Sequence, residues 1–204
     1  MIETVVSDLG NVLLRFDNNV FFRALTSHTE LPVEDIRAVT HENLDLLTLF
    51  EKGAVSPIDF YRNAKDLLSL TAGYEEFFRA YCDGVFSLVP EVRDLYRRLK
   101  PRYRLVLLSN TDVIRWTHVK TKFPEILLFD DYILSFDVGA MKPEPEIYLE
   151  AVRAGGARPE QTLFIDDMQA NVEGAERMGM KGLWLRPGDD LTRQLSGFEI
   201  IFPS

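Results

Sequence analysis

Residues 162–167 read Thr-Leu-Phe-Ile-Asp-Asp: a strand-length apolar run that stops on two adjacent carboxylates. An unbroken apolar run of this length suits a strand buried on both faces, as in a parallel sheet with helices packed on either side. The same pattern occurs twice more. Thr4-Val5-Val6 runs into Ser7-Asp8, and Leu105-Val106-Leu107-Leu108 runs into Ser109-Asn110. Tyr132–Ser135 and Gly182–Leu185 are weaker strand candidates.

Helical spacing fills the intervals. Glu91–Lys100 places Val92, Leu95, Tyr96 and Leu99 on one stripe, Glu146–Ala154 places Ile147, Ala151 and Ala154, and Ala170–Met178 places Ala170, Ala175 and Met178. A repeated βα alternation from residue 90 onward predicts an α/β fold, a three-layer Rossmann-like core with a parallel, doubly wound sheet. Residues 16–87 differ. They show no convincing strand, and helical patterns occur at Asn18–Ser27, Leu44–Phe50 and Phe60–Leu70. The expected division is a core of residues 1–15 and 88–204 with a helical domain, 16–87, inserted between the first strand and the rest of the sheet. Phe77, Phe78 and Tyr81 read as core of that insertion, and Gly155, Gly156 and Gly179 as helix C-caps.

Composition narrows the function. The 204 residues are 46% hydrophobic and 27% charged, enough to bury a sizeable core. The net charge of −9 argues against nucleic acid as a partner, because a phosphate backbone needs a basic footprint. Cys82, the single cysteine, permits no internal disulfide and has no basic flank to activate it. The N-terminus reads as a strand and not a leader, and no run of about 18 apolar residues exists to span a membrane. The expectation is a cytoplasmic protein, a monomer by default, with neither membrane nor nucleic acid among its partners.

Ligands of open parallel sheets bind at the carboxyl ends of the strands. Here those ends carry Asp8, Ser109-Asn110 and Asp166-Asp167, and a loop before a later helix carries Lys142. Three carboxylates, a hydroxyl, an amide and an ammonium therefore collect at one edge. Carboxylate oxygens suit a hard cation, and the hydroxyl, backbone N–H groups and lysine suit phosphate oxygens. An acidic protein acting on phosphate must neutralise that phosphate locally, which calls for a bound cation.

Four stretches then resemble, in order, the four motifs of the haloacid-dehalogenase-like superfamily: VVSDLGNVL (5–13), LVLLSN (105–110), GAMKPEPEIY (139–148) and LFIDDMQANVEGA (163–175). The insertion at 16–87 resembles the superfamily's helical cap. FEKGAVS (50–56), the SNT after the second strand and the MKPEPEIY loop most resemble the phosphatase branch that includes bacterial alpha-D-glucose-1-phosphate phosphatase. The resemblance implies a phosphatase acting on a small phosphorylated metabolite. Asp8 is its nucleophile, passing through an aspartyl-phosphate. Ser109, Asn110 and Lys142 hold the phosphate, and Lys142 neutralises charge on the nucleophile and the transferring group. Asp8, Asp167 and the carbonyl of Gly10 ligate Mg²⁺, with Asp166 acting through water. Asn171 is expected to support the acidic loop.

One position departs from the pattern. The superfamily's phosphatases usually place a second aspartate two residues after the nucleophile, as the acid that protonates the leaving oxygen. This chain has Gly10 there. Three readings follow. A phosphatase without the acid would favour substrates with good leaving groups, such as a sugar 1-phosphate. A metal-independent haloacid dehalogenase needs no proton, but the pair Asp166-Asp167 is foreign to it. A catalytically impaired phosphate-binding or regulatory protein would keep the fold without turnover. Asp17, His41, Asp45 and His118 are candidate replacements for the acid, each also readable as an ordinary solvated or core-satisfied group. Gly53 marks a turn that would bring Glu51 and Lys52 toward a substrate.

Overall fold

The computed structural model describes residues 1–202. The chain opens with β1 (Thr4–Ser7) and β2 (Leu14–Phe16), then five helices: α1 (Asn18–Leu25), α2 (Val33–Glu42), α3 (Leu44–Glu51), α4 (Pro57–Leu67) and α5 (Tyr74–Cys82). A short β3 (Phe86–Leu88) returns the chain to α6 (Pro90–Leu99), β4 (Arg104–Ser109), α7 (Val113–Lys122), β5 (Asp131–Leu134), α8 (Ser135–Val138) and α9 (Pro145–Gly155). It ends with β6 (Thr162–Asp166), α10 (Gln169–Arg177), β7 (Lys181–Trp184) and α11 (Leu191–Leu195).

Five strands form one parallel sheet in the order β5-β4-β1-β6-β7. The unbroken apolar runs are explained by alternation between two buried faces. Val5, Leu105, Leu107, Leu163 and Ile165 pack into one cluster with Leu95, Tyr96 and Leu99 of α6 and Leu195 of α11. Val6, Val106, Leu108 and Phe164 point the other way, against Ile147, Tyr148 and Ala151 of α9 and Ala175 of α10. With about 25 cal/mol stabilisation per Å² of apolar surface removed from water, these two layers supply the main drive for the sheet. Gly155 is the last residue of α9 and not its cap. A Cβ there would lie 2.7 Å from the Thr4 side chain, so glycine lets α9 close onto β1. Gly156, at φ +69°, is the cap itself.

The insertion has its own core. Phe21, Leu25, Ile36, Phe50, Phe60, Phe77, Phe78 and Tyr81 are buried together, with Phe50 and Phe60 stacked at 4.2 Å between ring centroids. Its attachment corrects one expectation. Residues 16–87 are not free of strand, because Phe16 pairs with Phe86 and Arg15 with Ser87 in a two-stranded antiparallel ribbon, β2 with β3. The expected boundaries at 16 and 87 cut through this ribbon. Strands of three residues are too short to display a period of two.

Candidate active site

β1 is the middle strand of the sheet, with β4 on one side and β6 on the other. Val6 is level with Val106 and Phe164, and Ser7 with Leu107 and Ile165. That register carries Asp8 to the same edge as Ser109 and Asp166. The loop before α9 crosses the edge and delivers Lys142, which is 4% exposed, while Asp166 is fully enclosed.

Lys142 Nζ donates to Asp8 Oδ1 at 2.6 Å, to Asp166 Oδ2 at 2.8 Å and to the Leu108 carbonyl at 3.1 Å. The other oxygen of Asp166 accepts from Met168 N at 2.8 Å and Asn171 Nδ2 at 3.0 Å. Asp166 thus accepts from three protein donors and serves first to fix Lys142 and the start of α10. Asp167 is half-buried and accepts from Asn11 Nδ2 at 2.9 Å. Asn11 has a positive φ of 53°, a conformation asparagine tolerates better than most residues.

One ammonium cannot offset three carboxylates. Asp8, Asp166 and Asp167 each offer an oxygen within 4.8 Å of the others. Burial pushes the Asp8 carboxyl up to about 7, with Lys142 opposing the rise and Asp166 adding to it. Burial likewise raises Asp167 against the pull of its Asn11 hydrogen bond. Burial works against the Lys142 ammonium, but Asp8 and Asp166 outweigh it and hold Lys142 above the ordinary lysine range. The excess is therefore on the carboxylate side. The donor set, all oxygen and overcharged, fits a hard divalent cation.

A cleft of about 300 Å³ opens over this cluster. Asp8, Gly10, Ser109, Asn110, Lys142 and Asp167 line it from the core side, and Glu51 lines it from the end of α3. Arg115 of α7 forms part of the wall. Its guanidinium lies 3.9 Å from the Tyr81 ring centroid and 5.0 Å from that of Phe16, and one nitrogen donates to Asn18 Oδ1 at 2.6 Å. Its Nε is buried with no hydrogen-bond partner among the described residues. Beside it, Asp112 caps α7 and accepts from the Tyr81 hydroxyl at 2.8 Å.

A family model described as haloacid dehalogenase-like hydrolase matches residues 2–179. The chain belongs to that family. Among its relatives, the hydrolase is 27% identical over 203 residues to a D-ribitol-5-phosphate phosphatase of Bacteroides thetaiotaomicron, covering 96% of this chain and 98% of the relative. It is 25% identical over 186 residues to the sesquiterpene phosphatase astK of Aspergillus oryzae, covering 90% and 89%. A crystal structure of a HAD family enzyme of B. thetaiotaomicron, in complex with magnesium and inorganic phosphate, superposes with a TM-score of 0.84 at 25% identity, covering 95% of this chain and 98% of that one.

Within this hydrolase, every residue expected at the strand ends reaches the cleft or its floor. Asn110 does so in an unexpected way. Its amide is committed to the main chain of Lys142, donating to the Lys142 carbonyl at 3.0 Å and accepting from the Lys142 N–H at 2.8 Å. Asn171 supports the acidic loop, as expected. The four candidates for the missing acid do not reach the cleft. Asp17 caps α1, and His118 lines a separate groove on α7. Lys52 turns away from the cleft to pair with Glu144 at 2.5 Å. Cys82 is buried, its thiol pushed up to about 12 by that burial, which suits an inert packing residue. Asn11, Asp112 and Arg115 were not foreseen. Only Asn11, inside the first motif, carried a sequence signal. No helix of the described residues is long and apolar enough to cross a membrane.

Proposed function

We propose that this hydrolase removes the phosphoryl group from a small phosphorylated sugar or polyol, through an aspartyl-phosphate formed on Asp8 in the presence of Mg²⁺. The observation that carries the reading is the contact between Asp8 and Lys142, 2.6 Å apart and buried at the floor of a cleft that opens on Asp167. A buried carboxylate held against a fixed ammonium is positioned as a nucleophile for an electron-poor phosphorus.

The residues divide the work. The Asp8 oxygen not held by Lys142 attacks phosphorus, and Lys142 neutralises charge on the attacking group and on the phosphoryl oxygens. The Ser109 hydroxyl and the Asn110 N–H bind those oxygens. Asp8, Asp167 and the Gly10 carbonyl are the residues that would hold Mg²⁺, with Asp166, which also fixes Lys142 and the start of α10, acting through water. When bound, the ion supplies positive charge beside the transferring group. We take residues 18–82 to be the cap that closes the cleft against water, moving on the β2–β3 ribbon.

The division of labour also bears on the other readings. A metal-independent dehalogenase has no use for Asp167 beside Asp8, and a protein that only binds phosphate has no need to bury a carboxylate under the anion. The test is a panel of phosphate monoesters with Mg²⁺ and with chelator, including sugar 1-phosphates, sugar 6-phosphates and ribitol 5-phosphate. Turnover of sugar or polyol phosphates that stops with chelator is expected. Halide release from 2-chloropropionate without metal, or no turnover of any ester, contradicts the reading.

A further inference from the structure

We propose that Glu51, carried by the helical insertion, is the general acid and base of this hydrolase, supplying the proton that Gly10 cannot. The inference rests on the phosphatase reading above and assigns one further catalytic residue to it.

Three successive residues fix the end of α3 onto the core. The Glu51 carbonyl accepts a hydrogen bond from Ser135 Oγ at 2.6 Å, and Lys52 pairs with Glu144 at 2.5 Å. Gly53 has φ +69°, and a Cβ at that position would lie 2.4 Å from the Phe136 carbonyl oxygen. Only glycine permits that approach. So anchored, Glu51 lines the same cleft as Asp8, Ser109 and Lys142. Its main chain is held, but among the described residues no donor meets its carboxyl oxygens. A half-buried carboxyl without a protein partner, in the cleft that holds the nucleophile, is arranged to exchange a proton with a substrate.

The charged and titratable groups facing it are Arg115 and Asp112 of α7, Lys142 of the loop before α9, and Tyr81 of α5. Burial raises the Glu51 carboxyl to about 7, with Arg115 opposing and Asp112 reinforcing. It is therefore partly protonated near neutral pH, as an acid must be. In the first step an Asp8 oxygen bonds to phosphorus while the ester P–O bond breaks. The electron pair stays on the leaving oxygen, which takes the proton of Glu51. In the second step water bonds to phosphorus, its proton passes to the Glu51 carboxylate, and the bond from phosphorus to Asp8 breaks. Inorganic phosphate leaves, with Asp8 ionised and Glu51 protonated as at the start.

The test compares wild type, Glu51→Gln and Gly10→Asp/Glu51→Gln on two esters with Mg²⁺. p-Nitrophenyl phosphate has a leaving group that needs no proton, and ribitol 5-phosphate releases a primary alkoxide that does. Because kcat/KM reports steps up to the aspartyl-phosphate, Glu51→Gln is expected to lose about 10²–10³-fold in kcat/KM on ribitol 5-phosphate and less than about tenfold on p-nitrophenyl phosphate. The decline in wild-type kcat/KM for the alkyl ester above about pH 7 should vanish in the variant. A Cβ at Gly10 would meet only Asp8 Oδ2, at 3.9 Å, so an aspartate fits there and should restore the alkyl ester in the double variant. Equal losses on both esters with the pH decline retained overturn the assignment. Should Glu51→Gln fail to fold, the wild-type profiles decide: a decline above neutrality for the alkyl ester alone supports it, and parallel profiles overturn it. A wild type inert toward both esters, with Asp8→Asn no different, overturns the phosphatase reading and this role with it.

Discussion

Asn110 and Lys142 hold each other by two hydrogen bonds, 3.0 Å from the Asn110 amide to the Lys142 carbonyl and 2.8 Å from the Lys142 N–H back to the Asn110 side chain. The end of β4 thereby sets the position of a lysine on a separate loop, 32 residues along the chain. Lys142 in turn donates hydrogen bonds to both Asp8 and Asp166. Strand, loop and nucleophile are coupled through this pair of residues.

Asn110→Ala should therefore act through Lys142 and not through substrate binding alone. Small displacements of a catalytic group cost up to about 10²-fold in rate. A fall in kcat of that order with little change in KM is expected from steady-state kinetics. A large rise in KM with unchanged kcat would instead mean that the amide binds substrate directly.

Lys142→Met removes the ammonium and leaves two buried carboxylates facing each other. Breaking a buried ion pair on one side destabilises by about 3–5 kcal/mol, because the remaining charge is uncompensated. Denaturant unfolding of the metal-free variant should show a loss of that size, and Mg²⁺ should recover part of it. Activity should fall by about 10²-fold or more even with metal present, since Lys142 also neutralises the transferring group.

Mg²⁺ should stabilise the protein more as pH rises. The metal-free Asp8 carboxyl is raised by burial from 3.8 to about 7, and Asp167 is raised in the same direction. A carboxyl raised on folding contributes stability that is complete below its unfolded pKa and disappears as pH climbs through its folded value. The metal-free protein thus loses stability between about pH 4 and pH 7 from these groups. A divalent cation takes the place of the protons and removes the penalty. Thermal unfolding with and without Mg²⁺ should give a small shift in Tm near pH 5 and a larger one near pH 8. A shift of equal size at every pH would mean that the ion binds elsewhere.

Much of this was legible in the chain itself, for a physical reason. Val5 and Val6, or Leu107 and Leu108, face opposite helical layers, so the middles of the central strands are apolar and polar residues gather at the strand ends. Those ends form the site, which is why Asp8, Ser109 and Asp166 were found together with the strands. The β2–β3 ribbon left no comparable trace, since each strand has three residues. Arg115 was missed because a guanidinium on a helix reads as solvated. Its burial depends on Phe16, Tyr81 and Phe86, which come from distant parts of the chain. Glu51 was visible only as a neighbour of Gly53. Its place over the cleft follows from the docking of Gly53 on Phe136, a contact between segments more than 80 residues apart that no local pattern encodes.

The central claim is that Asp8 itself takes the phosphoryl group. Mixing the enzyme with excess substrate and Mg²⁺, quenching in acid within the first turnovers, and reducing with borohydride converts an aspartyl-phosphate to homoserine. Mass spectrometry of the peptide containing residues 1–15 is predicted to find that conversion at position 8, dependent on both substrate and metal. Substrate consumed with Asp8 unmodified, or the label on another side chain, would contradict the account.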